Sequence, residues 1–215
     1  MLKIVARRMA EAKVTAPHFY LETAIDMSAA SSLRRDLNAA LEADGAKVSF
    51  NDMIIRSAAL ALVEHPQAHR SWVDGKLVYH GSANIGVAVA LDDGLVVPVI
   101  RDVQTKSLVA ISQEARDLAG RARAGRLKQQ EIEGGTFTVS NLGMFGVSTF
   151  MAIINVPEPM ILAVGAIEDR VVARDGQPAV RPMMNVTISM DHRAGSGADG
   201  ARVLAAIRRR LEQPL

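Results

Sequence analysis

Residues 189–202, with the sequence SMDHRAGSGADGAR, join a strand to a helix through a turn of small residues. Upstream, every second residue of 184–190 is apolar, which is typical of a strand with one buried face. Downstream, apolar residues recur at helical spacing over 203–211, and Asp199 or Gly200 is the expected start of that helix. His192 therefore stands where an apolar strand ends, in a frame that can hold a reactive side chain.

The same two periodicities recur along the rest of the chain. Helical stripes cover 33–41, 54–62 and 108–122, and Asn51 or Asp52 is the expected cap of the second helix. Strands are expected at 136–140 and 160–164, and Pro98 indicates a strand edge or bulge. Turns between strands are expected at Asp74-Gly75, Asp92-Asp93-Gly94 and Asp175-Gly176. We therefore predict an α/β fold, a two-layer sandwich in which helices cover a mixed sheet, as one domain over residues 1–215.

Composition narrows the class of protein. The 215 residues are 49% hydrophobic and 22% charged, which suits one domain with a substantial core. Cysteine is absent, so disulfides and a thiol nucleophile from the protein are excluded. No apolar run approaches the length of a membrane span, and with 4% aromatic residues and a net charge of +2 a nucleic-acid partner is not expected. No histidine pair has a helical metal-ligand spacing with a carboxylate nearby, so no metal is expected.

Two side chains are candidates for chemistry, and spacing alone leaves both open. His192 is either a functional imidazole or a group that bonds nearby backbone. Ser140, in the segment FTVSNLG at 137–143, either aims its hydroxyl at a ligand or simply starts a turn. No Gly-x-Ser-x-Gly elbow surrounds Ser140, so a serine-hydrolase triad is not supported. The other histidines are expected to be structural or at the surface: His18, His65, His69 and His80.

An ordered set of segments resembles one family over nearly the whole chain. The region from Asp191 to Gly197 is similar to the Asp-His-Arg-x-x-Asp-Gly signature of the dihydrolipoamide acyltransferases, the core-forming subunits of 2-oxo-acid dehydrogenase complexes. The loop after Ser140 is most similar to the acetyl-transferring, pyruvate-type members. The other matching segments are 6–9, 17–20, 84–89, 93–102, 134–146, 153–155, 161–165 and 181–184.

The resemblance implies a chloramphenicol acetyltransferase-like fold and a thiol-to-thiol acyl transfer. An acetyl group would pass between a lipoyl thiol and coenzyme A, with the lipoyl group carried on a separate domain. His192 would be the general base that deprotonates the attacking thiol, a role that suits an imidazole because it exchanges protons near ambient pH. Ser140 would donate to the negative oxygen of the tetrahedral intermediate, and no acyl-serine would form.

The family also implies an assembly. A homotrimer would place His192 of one chain opposite Ser140 of its neighbour, and trimers would build a larger cage. Lipoyl and peripheral-subunit-binding domains are expected upstream, and the expected partners are the 2-oxo-acid decarboxylase and dihydrolipoamide dehydrogenase subunits. The expected compartment is the bacterial cytoplasm or, as a second choice, the mitochondrial matrix.

One departure from the signature concerns the histidine loop. Ser196 occupies the position where the family has an acid or asparagine that helps to hold this loop. Gly195 replaces a branched apolar residue and is expected to make the loop more mobile. Ser196 is therefore included among the candidate catalytic residues, and retained but weaker catalysis is expected. Two alternatives remain open: a structural core subunit that has lost activity, and a trimeric chloramphenicol acetyltransferase-like enzyme that acetylates a small hydroxyl compound.

Overall fold

The computed structural model describes residues 2–91 and 94–214. The turn predicted at Asp92-Asp93 therefore lies outside the described residues. The helices are α1 (Leu2–Thr15), α2 (Ser28–Ala40), α3 (Phe50–Glu64), α4 (Leu108–Arg123) and α5 (Gly197–Glu212). The strands are β1 (His18–Asp26), β2 (Arg70–Val73), β3 (Lys76–Tyr79), β4 (Ile85–Val87), β5 (Val89–Leu91), β6 (Gly94–Val96), β7 (Val99–Ile100), β8 (Phe137–Asn141), β9 (Met160–Arg174) and β10 (Gln177–Asp191).

The main sheet has the strand order β1-β10-β9-β8-β4-β7 among the described residues. Strand β8 runs parallel to both β4 and β9, and the other neighbours are antiparallel, so the sheet is mixed. Helices α3 and α5 pack together, and α5 also packs on β1. The predicted α/β architecture, a mixed sheet with helices, is confirmed.

Two helices begin earlier than predicted, because a serine caps each of them. The hydroxyl of Ser49 accepts a hydrogen bond from the Asp52 amide (3.2 Å), and the Asp52 carboxylate accepts one from the Ser49 amide (2.7 Å). This reciprocal capping box makes Ser49 the cap of α3, so the prediction of Asn51 or Asp52 is wrong. Helix α5 likewise begins at Gly197, two residues before the predicted start.

The central hairpin is divided into two pairs of short strands. Strands β4 and β7 pair within the main sheet, whereas β5 and β6 form a separate two-stranded sheet. Pro98 lies between β6 and β7, where its carbonyl accepts a hydrogen bond from the Val87 amide (2.8 Å). The break predicted from Pro98 is confirmed, and β7 lies at the edge of the main sheet.

The last hairpin is much longer than the predicted strands, since β9 and β10 each have 15 residues. Its turn has positive φ at both Asp175 (50°) and Gly176 (76°), and Asp74 and Gly75 repeat this pattern between β2 and β3. Two positive φ angles are what a two-residue type I′ hairpin turn requires. Strand β10 runs alongside β9 for almost its whole length and ends at Asp191, directly before the candidate histidine.

Within the described ranges, no helix combines the length and the apolar character needed to cross a lipid bilayer.

Candidate active site

His192 is the first residue after β10, and its imidazole is exposed. Its backbone amide donates to the Pro17 carbonyl (3.0 Å), and its ring lies against the Phe19 ring with centroids 4.7 Å apart. Pro17 directly precedes β1 and Phe19 lies within it, and β1 is the edge strand beside β10. None of the hydrogen bonds formed among the described residues uses the imidazole nitrogens, which are therefore available to a ligand.

The turn after His192 is held by its flanking residues. The guanidinium of Arg193 donates to the Asp191 carboxylate from Nη2 to Oδ2 (2.7 Å) and from Nε to both Oδ1 (3.0 Å) and Oδ2 (3.2 Å). Gly195 is buried, and a Cβ there would lie 2.0 Å from the end of the Met190 side chain. The residue expected to loosen the loop therefore packs it closely onto β10.

Ser196 caps α5, and its side chain forms no hydrogen bond with the His192 imidazole. Its hydroxyl donates to Asp199 Oδ2 (2.8 Å) and accepts from the Asp199 amide (3.3 Å). The Ser196 amide also donates to Asp199 Oδ2, and this bond is the main cause that lowers the pKa of the Asp199 carboxyl. The hydroxyl predicted to assist catalysis is thus committed to the helix end.

Ser140 is the fourth residue of β8 and is half-buried. The loop that follows packs tightly, because a Cβ at Gly143 would lie 2.6 Å from the Gly165 carbonyl oxygen. Asn141 orders this loop: its side-chain oxygen accepts from the Gly143 amide (2.9 Å), and its amide donates to Asn51 (3.3 Å). The Ser140 hydroxyl forms no hydrogen bond among the described residues, so it is free to donate.

Ser140 opens onto a cavity of about 810 Å³ between α3, α4, the β5–β6 pair and the loop after β8. Two arginines of α4, Arg116 and Arg123, lie on its wall. The loop contributes Met144 and Phe145, which are 75% and 67% exposed in the single chain. A ligand in this cavity would meet an apolar wall, two guanidinium groups and the serine hydroxyl.

Ser140 and His192 lie at opposite ends of the sheet in one chain. Ser140 is in register with Ala163 of β9, which is in register with Thr187 of β10. His192 is five residues beyond Thr187 and two strands away from β8, so the two Cα atoms are about 19 Å apart. One chain therefore does not bring the two predicted residues together, and a site that uses both needs a second copy.

The other histidines have structural contacts. His18 bridges two segments, since its Nε2 accepts from the Ile154 amide (3.0 Å) and its Nδ1 lies 2.7 Å from the Ala16 carbonyl. His69 is buried, with Nε2 2.8 Å from the Thr136 hydroxyl, and its ring centroid lies 5.2 Å from that of His80. Burial, together with the nearby His80, lowers the pKa of His69 to about 4.

Sequence reasoning missed two residues near the site. Arg70, on β2, donates from Nε to the carbonyl of Ala194, two residues after His192 (2.6 Å). Glu158 is buried beneath the serine strand, where it accepts a hydrogen bond from Thr138 (2.6 Å), and burial raises its pKa to about 7. Both contacts join residues distant in sequence, so no local pattern could have indicated them.

The fold is shared with a solved structure of distant sequence. A solved chloramphenicol acetyltransferase matches it with a TM-score of 0.54 at 14% identity, covering 96% of this chain and 92% of that chain. The chain itself belongs to the 2-oxoacid dehydrogenases acyltransferase (catalytic domain) family, whose model matches residues 1–215. The family resemblance inferred from the sequence motifs is therefore confirmed.

Relatives from several organisms support this assignment. The dihydrolipoyllysine-residue acetyltransferase component of the pyruvate dehydrogenase complex of Rhizobium meliloti (strain 1021) is 48% identical over 219 residues, covering 100% of this chain and 49% of the relative. A mitochondrial Arabidopsis thaliana component is 45% identical, covering 99% of this chain and 40% of that protein. The chain therefore spans about half the length, or less, of these curated relatives.

Solved structures match over almost their whole length. A probable dihydrolipoamide acetyltransferase from Listeria monocytogenes 4b F2365 has a TM-score of 0.93 at 36% identity, covering 98% of this chain and 91% of that chain. The dihydrolipoamide acetyltransferase of Azotobacter vinelandii has a TM-score of 0.94 at 32% identity, covering 99% and 88%. In the Azotobacter vinelandii enzyme, three residues were studied for their role in the catalytic mechanism: a serine, a histidine 52 residues later, and an asparagine four residues after the histidine.

Proposed function

We propose that this chain transfers an acetyl group between a dihydrolipoyl thioester and coenzyme A, as the catalytic core of a pyruvate dehydrogenase complex. The observation that carries the proposal is the spacing of the candidate residues. Ser140, His192 and Ser196 have the same separations as the serine, histidine and asparagine studied in the Azotobacter vinelandii enzyme. An unpaired hydroxyl and an unpaired imidazole are the two groups that thiol-to-thiol acyl transfer requires.

His192 acts as the general base. A free thiol has a pKa near 8.5, so only a few per cent is thiolate at neutral pH, and a base within hydrogen-bond reach removes this handicap. The imidazole takes the proton from the coenzyme A thiol, and the sulfur attacks the thioester carbonyl carbon. When the tetrahedral intermediate collapses, the bond to the lipoyl sulfur breaks and the imidazolium returns the proton to that sulfur.

Ser140 stabilises the intermediate. As the new carbon–sulfur bond forms, the carbonyl oxygen becomes negative, and the free Ser140 hydroxyl donates to it. Such a donor is worth about 3 to 4 kcal/mol in the transition state, or 10²- to 10³-fold in rate. Arg116 and Arg123 place positive charge on the wall of the Ser140 cavity, which favours an anionic acyl carrier such as coenzyme A.

The active site combines two chains. In a cyclic trimer, His192 of one chain meets Ser140 of its neighbour, which accounts for their separation of about 19 Å within one chain. The exposed Met144 and Phe145 beside Ser140 supply apolar surface for such an interface. A cubic core of a pyruvate dehydrogenase complex is among the matching structures, and we propose that trimers of this chain also build a larger cage.

The rest of the complex follows from the same assignment. We propose that lipoyl and peripheral-subunit-binding domains precede residues 1–215 and that the lipoyl arm delivers the acetyl group. The partners would be the 2-oxo-acid decarboxylase and dihydrolipoamide dehydrogenase subunits, in the bacterial cytoplasm.

An acetyl-transfer assay tests the proposal. The wild type is incubated with acetyl-coenzyme A and dihydrolipoamide, and acetyl-dihydrolipoamide is measured beside His192→Ala and a matched control, His65→Ala. His65 lies at the C-terminal end of α3, so its replacement should leave the rate unchanged. We expect His192→Ala to lower kcat by about 10² to 10⁴.

Two outcomes would count against the proposal. Absence of transfer by the assembled wild type would favour the inactive core subunit or an enzyme with a different acceptor. Transfer that survives in His192→Ala at the wild-type rate would remove the imidazole from the reaction.

A further inference from the structure

We infer that Arg70 is a positioning residue for His192, acting through the turn that follows the histidine. The inference rests on the proposed function, because positioning matters only if His192 reacts. Arg70 lies at the start of β2, in the small sheet that β2 forms with β3 alone. Its side chain is 19% exposed, so its guanidinium is largely enclosed by the groups it contacts.

The guanidinium contacts both the turn after His192 and the first residues of α5. Its Nε donates to the Ala194 carbonyl (2.6 Å), a short charge-assisted bond to the residue two positions after His192. Its Nη2 lies 4.0 Å from Asp199 Oδ2, the same oxygen that accepts from the Ser196 hydroxyl. One cation therefore joins the middle of the turn to the first turn of α5.

The β2–β3 hairpin holds Arg70 in the orientation that makes these contacts. Arg70 pairs with Tyr79 across the hairpin, and its Nη1 donates to the Tyr79 hydroxyl (2.9 Å) and to Gln67 Oε1 (3.3 Å). Its guanidinium carbon lies 5.6 Å from the centre of the Tyr79 ring. A guanidinium with several donors already engaged is pre-organised, so little rotamer entropy is lost on binding the Ala194 carbonyl.

None of the side chains in the turn itself could hold its backbone in place as Arg70 does. Gly195 has no side chain, and the Ser196 hydroxyl donates its single proton to the Asp199 carboxylate. Arg193 is turned back onto Asp191, on the strand side of the histidine. Within the described residues, Arg70 is the side chain that hydrogen-bonds this turn from a separate sheet, and it therefore fixes where the backbone after His192 lies.

Arg70→Ala tests the inference against a matched control, Arg202→Ala. Arg202 also pairs with Asp199 (3.3 Å) but is 63% exposed and makes no bond to the turn. We expect Arg70→Ala to lower kcat about 10-fold, since a small misplacement of a catalytic group has effects of this order, with KM for coenzyme A within about twofold of wild type. Arg202→Ala should leave both constants unchanged.

Two further readouts separate positioning from general destabilisation. Added ethylguanidinium should restore part of the kcat of Arg70→Ala, because it can donate to the vacated carbonyl. Amide hydrogen exchange of the peptide 191–200 should become faster in Arg70→Ala and stay unchanged in Arg202→Ala. This measurement does not depend on catalytic activity.

The outcomes distinguish this inference from the proposed function. A wild-type kcat in Arg70→Ala, an equal loss in Arg202→Ala, or unchanged exchange over 191–200 would each overturn the positioning role. If the wild type itself transfers no acetyl group, the proposed function fails, while the exchange measurement still decides whether Arg70 anchors the turn.

Discussion

Replacing Glu158 with glutamine should change how the stability of the fold depends on pH. Glu158 is 4% exposed and accepts two hydrogen bonds, from the Thr138 hydroxyl to Oε2 (2.6 Å) and from the Asn155 amide to Oε1 (2.9 Å). Burial outweighs these bonds and raises the pKa of this carboxyl from 4.5 to about 7. A glutamine has the same shape, can accept from Asn155 and can donate to the Thr138 oxygen.

The sign of the effect follows from the direction of the shift. Because the folded-state pKa of Glu158 is raised, the folded protein binds more protons than the unfolded chain between pH 4.5 and pH 7. The resulting stability is complete below pH 4.5 and is lost as the pH rises through 7. Between pH 6 and pH 8 the loss is about 1 kcal/mol, which corresponds to about 2 to 4 °C in Tm for a chain of this size.

Thermal unfolding at pH 6 and pH 8 measures this difference. The difference in unfolding free energy between Glu158→Gln and wild type should be about 1 kcal/mol more favourable to the variant at pH 8 than at pH 6, because the amide does not titrate. The contribution of His69 to stability changes mainly below pH 6.5, and both proteins keep this residue, so its effect cancels. Glu42→Gln, at an exposed site, is the control and should show no such gain. A difference between wild type and Glu158→Gln that is constant across pH would refute the reasoning.

Three further predictions concern single residues. Burial lowers the pKa of His69 from 6.5 to about 4, so the contribution of this residue to stability is present above pH 6.5 and is lost as the pH falls towards 4. The variant His69→Asn should therefore show a flatter dependence of Tm on pH between pH 4 and pH 6.5. A dependence as steep as that of wild type would contradict this. Ser140→Ala should lower kcat by about 10² to 10³ with little change in KM, and a steady-state assay that finds the loss in KM instead would assign the hydroxyl to substrate binding. Ser196→Ala should cost about 1 kcal/mol in urea unfolding through the lost cap of α5, whereas an unchanged midpoint would mean that Asp199 alone sustains the helix end.

The sequence predicted the helices and strands that have strong periodicity, and it missed features that depend on hydrogen bonds and contacts within the folded chain. Helix α4 and strand β8 lie where the apolar spacing indicated. The starts of α3 and α5 were misplaced because Ser-x-x-Asp offers two residues that can cap, and only the hydrogen bonds show that serine is the cap in both. The length of β9 was underestimated because its second half is largely exposed and lacks an apolar run.

The sequence predicted the candidate site residues that stand in recognisable local motifs, but it missed a residue that reaches the site from a distant part of the chain. His192 and Ser140 were identified from motifs, and their surroundings support a reactive role. Arg70 escaped detection because it bonds a residue 124 positions away, and a lone arginine at the start of a hairpin carries no signal. Ser196 was assigned to catalysis from its place in the motif, yet its hydroxyl is committed to Asp199.

Co-expression of two inactive variants tests most directly whether each site draws on two chains. No chain in a mixture of His192→Ala and Ser140→Ala carries both groups, but under the proposed arrangement a hybrid trimer would contain one site built from an intact His192 and a neighbour's intact Ser140. Random assembly from equal amounts should restore about one quarter of the wild-type acetyl-transfer rate. A mixture of confirmed hybrid trimers that remains as inactive as either parent would contradict the shared site.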